Sequence, residues 1–245
     1  MNLDIRWSRS TPSTNRLALD ALSAPPWTVW VTDHQTAGRG RYTAGARRAW
    51  IDSPGQCLLM SIIVQPRVPA AAAPRLTLLA GIAAVETLRD VTGADVRLKW
   101  PNDLAVDRLK LGGILVESLS QAGHVRAVVG MGINVNNDPS QLDQAGLRAT
   151  SLRAVTGVSH DRLQLLSGIV DRLRQCVADL ESTGGELGAL RTRWESLADV
   201  DGRRVRQESR VGTARGIDAG GALRVGWDDG TAGIVDAGTL EWDPQ

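Results

Sequence analysis

Two features of this chain are placed to do chemistry on anions. The first is a glycine-rich run, Gln35 to Trp50 (QTAGRGRYTAGARRAW), carrying Arg39, Arg41, Arg47 and Arg48. Glycine can take positive φ and lets main-chain N–H groups converge on an oxyanion, and arginine adds charge-assisted, often bidentate bonds to carboxylate or phosphate. By residue type the run is an anion trap; a solvated turn is the plainer alternative. The second is Lys110. Of 28 Lys and Arg residues only Lys99 and Lys110 are lysines. A genome biased toward arginine codons is the plainer account; against that bias, a lysine suits a place where a compact point charge is needed, for which a planar guanidinium is a poor substitute.

Composition bounds what such a site can be for. A formal net charge of +1 removes the global basic excess that nucleic acid or an acidic membrane surface would select, so any use of charge is local. Cys57 and Cys176 are too few and too far apart for a metal site or a disulfide framework, which fits a reducing cytoplasm. MNLDIRWSRS has no apolar signal core, and no apolar run is expected to reach the length of a membrane span.

The elements that must position these residues follow from periodicity. Ser10–Asn15 (STPSTN) precedes a helical pattern over Arg16–Leu22 and offers N-cap side chains. Trp27–Thr32 reads as a strand entering the arginine run and Leu58–Val64 as a buried strand leaving it. An amphipathic helix is predicted over Arg75–Val91. Short strands follow at Val96–Trp100, Leu104–Val106, Lys110–Leu119 and Val125–Val135, as in an antiparallel meander. Helices are predicted over Asp161–Leu180 and Glu186–Leu197. From Asp199 the pattern is all-β, in segments RRVRQE, VGTARGID, ALRVGW and GIVDAGTLEW, too small a unit to be very stable unless it packs on its neighbour. The expected organisation is residues 1–197 and 198–245.

Three further motifs accompany the arginine run: KWPND at Lys99–Asp103, KLGGILVE at Lys110–Glu117 and GMGINVN at Gly130–Asn136. In order with STN and QTAGRGR, this series resembles the catalytic core of the biotin protein ligases, over roughly residues 8–136. The resemblance implies an α+β fold: a mixed, mostly antiparallel sheet packed with helices, like a class II synthetase core, plus a small C-terminal SH3-like barrel. It implies that biotin and ATP, with Mg²⁺ held mainly by phosphates, give biotinyl-5′-AMP, and that biotin then passes to a lysine of the biotin carboxyl carrier protein domain of an acyl-CoA or acetyl-CoA carboxylase. Nothing ahead of Trp7 can hold a helix-turn-helix, which implies the monofunctional type without DNA binding. The state implied is a monomer or a weak, ligand-linked homodimer.

Residue by residue, the resemblance implies that Ser13, Thr14, Asn15 and Gln35 face the ureido ring. Gly38, Arg39, Gly40 and Arg41 belong to a lid over biotin and its adenylate, with Gly112 and Gly113 letting the strand backbone approach. Lys110 and Arg41 are the implied catalytic cations. Arg41, Arg48, Trp50, Lys99, Trp100, Asn102, Lys110 and Asn134 fall on the nucleotide side, where Trp50 and Trp100 could equally be packing. Asp103 reads as a turn residue, and no metal ligand set is expected from the protein. Four extra residues separate Arg41 from Trp50 relative to the family spacing; distance to Trp50 favours Arg48 over Arg47 as the later arginine. A lipoate or octanoate ligase of related fold and a non-catalytic sensor of biotin or its adenylate are the alternatives.

Overall fold

The computed structural model describes residues 3–43, 46–121, 124–138, 140, 148–235 and 240–242; the side chains of 41–43, 46–48, 120, 121 and 124 lie outside that description. Its frame is a seven-stranded sheet in the order β1-β2-β5-β9-β8-β7-β6. The strands are β1 (Ile5–Ser8), β2 (Val29–Thr32), β5 (Cys57–Val64), β6 (Arg97–Lys99), β7 (Asp103–Val106), β8 (Leu109–Gln121) and β9 (His124–Asn134). Only β1 and β2 pair in parallel; every other neighbour in this sheet is antiparallel. β3 (Arg39–Thr43) and β4 (Ala46–Ala49) form a separate two-stranded hairpin.

The two faces of the sheet are used differently, and strand alternation decides which residue goes where. One face, with Met60, Ile62, Val129, Met131 and Ile114, packs into the main core beneath α2 (Leu76–Thr92) and α4 (Arg162–Ser182). The other carries α1 (Thr14–Asp20) on a small apolar cluster of Ala18, Trp30, Ile63 and Val128. A 3-10 turn at Ala70–Arg75 leads into α2. Together Ala70–Thr92 is long and apolar enough to cross a membrane, which corrects the expectation that no run reaches this length. Most of it is buried inside the protein, including Leu76, Leu79, Ile82, Val85 and Leu88, which identifies it as a core helix.

α3 (Leu152–Thr156) and α5 (Ala189–Leu197) follow in the chain, and β10 (Arg204–Gln207), β11 (Arg210–Ile217), β12 (Leu223–Trp227), β13 (Ala232–Val235) and β14 (Leu240–Trp242) form a second sheet in the order β13-β12-β11-β10-β14. The last sequence segment, GIVDAGTLEW, is two strands and not one: β13 (Ala232–Val235) lies at one edge of this sheet and β14 (Leu240–Trp242) at the other. The second sheet shares the main core, contributing Val205, Ala214, Leu223, Val225 and Trp227. The two sheets are also tied by polar contacts: Asp199 N–H donates to Leu98 O at 2.9 Å and Trp100 Nε1 to Gly221 O at 3.0 Å. A unit too small to hold a core of its own is thus completed by its neighbour.

Candidate active site

The α1-bearing face has a glycine floor. Gly113 on β8 pairs with Gly132 on β9, and Gly130 lies two residues along the same strand, so all three point their missing side chains to one side. Each vacancy is filled by a different residue. A Cβ at Gly130 would come within 1.9 Å of Asn15 Oδ1, one at Gly132 within 2.7 Å of the Trp50 ring, and one at Gly113 within 3.5 Å of Lys110 Nζ. Gly112, on the opposite side of β8, is required for a different reason: its Cβ would stand 2.8 Å from Gly132 O.

Over Gly130 lies a buried polar set. Ser13 is the residue before α1, but its side chain makes no capping bond. Thr14 and Asn15 instead turn inward, each 4% exposed. Gln35 Oε1 accepts from Thr14 N at 2.9 Å and lies 3.3 Å from Thr14 Oγ1. Ser61 Oγ, fully buried on β5, is 2.8 Å from Thr14 Oγ1 and 2.6 Å from Asn15 Oδ1. Asn15 Nδ2 donates to Glu117 Oε2 at 2.8 Å and to Leu115 O at 3.2 Å. Arg39 Nη2 donates to the same Glu117 oxygen at 3.2 Å. Gln35 is itself held from behind by the buried Asp52 carboxylate, which accepts its N–H at 3.0 Å and pairs with His34 Nδ1 at 2.8 Å.

Lys110 is the second residue of β8, over Gly113 on the same floor, with Nζ 2.7 Å from Asp103 Oδ1 and a side chain 40% exposed. Its backbone is clamped on both sides: Lys110 N donates to Arg148 O at 3.0 Å and Thr150 N to Lys110 O at 2.9 Å. Asp103 is not a turn residue. It is the first residue of β7, opposite Lys99 and Gly113, and serves as the counter-ion of Lys110.

The arginine run pairs as a hairpin, and Gly38 is required by close approach and not by positive φ. Neither Gly38 nor Gly40 has a positive φ, but a Cβ at Gly38 would come within 2.7 Å of Trp50 O. Trp50 N–H donates to Gly38 O at 3.0 Å, which closes the base of the hairpin and lays the indole on Gly132. The backbone register pairs Tyr42 with Arg47, while the side chains of Arg41, Arg47 and Arg48 lie outside the described residues.

Three residues implied on the nucleotide side have structural partners. Trp100 is 4% exposed, packed in the main core with its N–H on Gly221, so its ring joins the two sheets. Asn102 Nδ2 donates to Ile114 O at 2.8 Å and its own O accepts Ile114 N–H at 2.9 Å, continuing the pairing of β8 past the end of β7. Asn134 is buried and donates to Thr150 O at 3.0 Å, bracing the segment that clamps Lys110. Lys99 ends β6, partly exposed.

A profile described as the biotin/lipoate A/B protein ligase family matches residues 7–134. The chain belongs to this family. It is 35% identical over 221 residues to the bifunctional ligase/repressor BirA of Bacillus subtilis (strain 168), covering 88% of this chain and 66% of that protein. To the biotin–[acetyl-CoA-carboxylase] ligase of Paracoccus denitrificans it is 31% identical over 225 residues, covering 87% and 90%. It therefore spans just under two thirds of the one relative and nine tenths of the other. Among solved structures, the biotin protein ligase of Aquifex aeolicus in complex with biotin and ATP superposes with a TM-score of 0.80 at 25% identity, over 99% of both chains. The α+β fold with a mostly antiparallel sheet is the biotin protein ligase fold.

For this member of the family, motif reading alone does not single out Ser61, Glu117, Gly130 or Gly132. Signals for them exist in the sequence. Ser61 is the lone hydroxyl in LLMSIIV, Glu117 ends KLGGILVE on the strand face of Gly113, and GMG places two glycines at the period of a strand face. His34 and Asp52, which hold Gln35, carry no such signal, because eighteen residues and a hairpin separate them.

Proposed function

We propose that this chain is an ATP-dependent biotin protein ligase. The observation that carries the reading is the sharing of one sheet face by two chemically different sites. The buried polar set of Thr14, Asn15, Gln35 and Ser61 suits a small polar ring, and the partly exposed Lys110 ammonium, over the glycine floor, suits paired anions. In the first step a biotin carboxylate oxygen attacks the α-phosphorus of ATP and pyrophosphate leaves. Lys110 serves there because a point charge accompanies both anions from ground state to transition state, where charge accumulates. In the second step a carrier lysine amine attacks the acyl carbonyl and AMP leaves.

Ser13, Thr14, Asn15 and Gln35 hold the ureido end in this reading, and Gly112 and Gly113 keep the floor low beside Lys110. Gly38, Arg39, Gly40 and Arg41 form the lid and Arg48 meets phosphate, excluding water from the anhydride until the carrier arrives. Trp50, half-buried on Gly132, offers the nucleotide a ring face, with Lys99 near that end. Magnesium enters with the phosphates of ATP, its usual ligands. The carrier is the biotin carboxyl carrier protein domain of a carboxylase, the setting the cytoplasm, and the state a monomer or weak ligand-linked homodimer. The organisation into residues 1–197 and an SH3-like 198–245 rests on the second sheet's separate strand order.

A recombinant carrier domain, incubated with the protein, ATP and either biotin or lipoate, tests the reading by avidin blot and mass shift. A gain of one biotin and no lipoate is expected. Transfer of lipoate alone would move the chain to the lipoate branch of the family, and biotin binding without transfer would make it a sensor.

A further inference from the structure

The polar set over Gly130 is directional, and the residue that sets its direction is Glu117. A carboxylate paired with a guanidinium only accepts hydrogen bonds, and so does a carbonyl. Asn15 therefore must turn its NH₂ toward Glu117 Oε2 and Leu115 O, which leaves its Oδ1 facing Ser61. Ser61 has one proton, and at 2.6 Å from an acceptor it donates there. At 2.8 Å from Thr14 Oγ1 it then accepts, so the Thr14 proton goes to Ser61 and not to Gln35 Oε1, which is farther away at 3.3 Å. Gln35 Oε1 accepts Thr14 N–H and keeps its second lone pair. What remains for a ligand is an acceptor at the Thr14 hydroxyl, the second lone pair of Gln35 Oε1, and a donor at Gln35 Nε2. A cyclic urea, with one carbonyl acceptor between two N–H donors, is the complement of that pattern.

We propose that Glu117 and Ser61 are positioning residues that fix this donor and acceptor order, and through it the preference of the site for a ureido ring. Resting on the biotin reading above, the proposal adds two residues that need not touch the ligand. Gly130 is part of the same device, since the Asn15 amide occupies the space of its missing Cβ.

Calorimetric titration of biotin into the intact protein without ATP, with KM values from pyrophosphate release, tests it. Glu117→Gln keeps shape but can donate, so Asn15 can turn over; biotin affinity is expected to fall about tenfold, the equivalent of roughly 1.4 kcal/mol, with KM for ATP unchanged. Glu117→Asp, which still only accepts, should retain more affinity than Glu117→Gln. Ser61→Ala breaks the chain while leaving the Arg39–Glu117 pair intact and should weaken biotin comparably. The double variant should lose less than the sum, because both act through Asn15 and Thr14. Parental affinity in Glu117→Gln, or a worse Glu117→Asp, would overturn the proposal. If the parent protein binds no biotin, the ligand reading fails by itself. Neutron diffraction then reads the order directly: deuterium on the Asn15 nitrogen facing Glu117 upholds it, and facing Ser61 refutes it.

Discussion

Lys110 Nζ stands 2.7 Å from Asp103 Oδ1, across the pairing of β7 with β8, and a Cβ at Gly113 would meet the same ammonium. The counter-ion is an exchangeable partner: with 40% of the Lys110 side chain and 27% of the Asp103 side chain exposed, the pair is half in water and each group can be handed to a substrate anion or its metal. Exposed pairs of this kind contribute about 0–1 kcal/mol to stability. Asp103→Asn should therefore shift the thermal midpoint little. It should lower the rate of adenylate formation less than Lys110→Ala does, since the charge remains and only its aim is lost. Equal losses in the two variants would show that Asp103 takes a direct part.

Gly130 and Gly132 lie two residues apart on one strand but support different ends of the site, and their substitution should separate the substrates. Gly130→Ala displaces Asn15 and should raise KM for biotin; Gly132→Ala pushes against the Trp50 ring and should raise KM for ATP. Each should cost about 1–3 kcal/mol of stability, as overpacking of a close contact does. A steady-state matrix of both substrates against both variants checks this, and a uniform rise in both KM values would contradict the division.

Trp100→Phe removes the bond to Gly221 O while keeping an aromatic ring in the core. A loss of about 0.5–1.5 kcal/mol in chemical denaturation is expected, with KM for ATP unchanged. A raised KM for ATP at parental stability would show that Trp100 serves the nucleotide.

Both thiols are buried, and burial raises both: Cys57, bonded to the Asn137 amide, above the ordinary thiol value, and Cys176 to about 11. Because the thiolate is the reactive form, neither should react with a thiol reagent at neutral pH while the protein is folded. Both should react in denaturant. Fast titration of one thiol in the native protein would contradict the burial of α4 or of β5.

Much of this was legible in the residues, for physical reasons that differ by element. The helices at Leu76–Thr92 and Arg162–Ser182 are announced by periodicity, and the strand Cys57–Val64 by an unbroken apolar run, because it is buried on both faces. β1 was not, since Ile5–Ser8 is a largely exposed edge strand whose alternation reports no core. The motifs located Lys110, Asn15 and Gln35, but their partners come from register. Ser61, Glu117 and Gly130 meet Asn15 only because β5, β9 and β8 are neighbours in that order. Trp100 and Asn134 show the converse limit, where a motif position is held by packing that the motif does not display.

Pyrophosphate release by the purified protein, supplied with biotin and ATP-Mg²⁺ and no carrier, tests the central claim most directly. The account predicts release that requires biotin, stops near one equivalent per active site if the adenylate is retained, and falls at least about a hundredfold in Lys110→Ala, the scale of losing an electrostatic transition-state contact, at an unchanged thermal midpoint. Release that is indifferent to biotin, or a folded Lys110→Ala variant with parental activity, would contradict it.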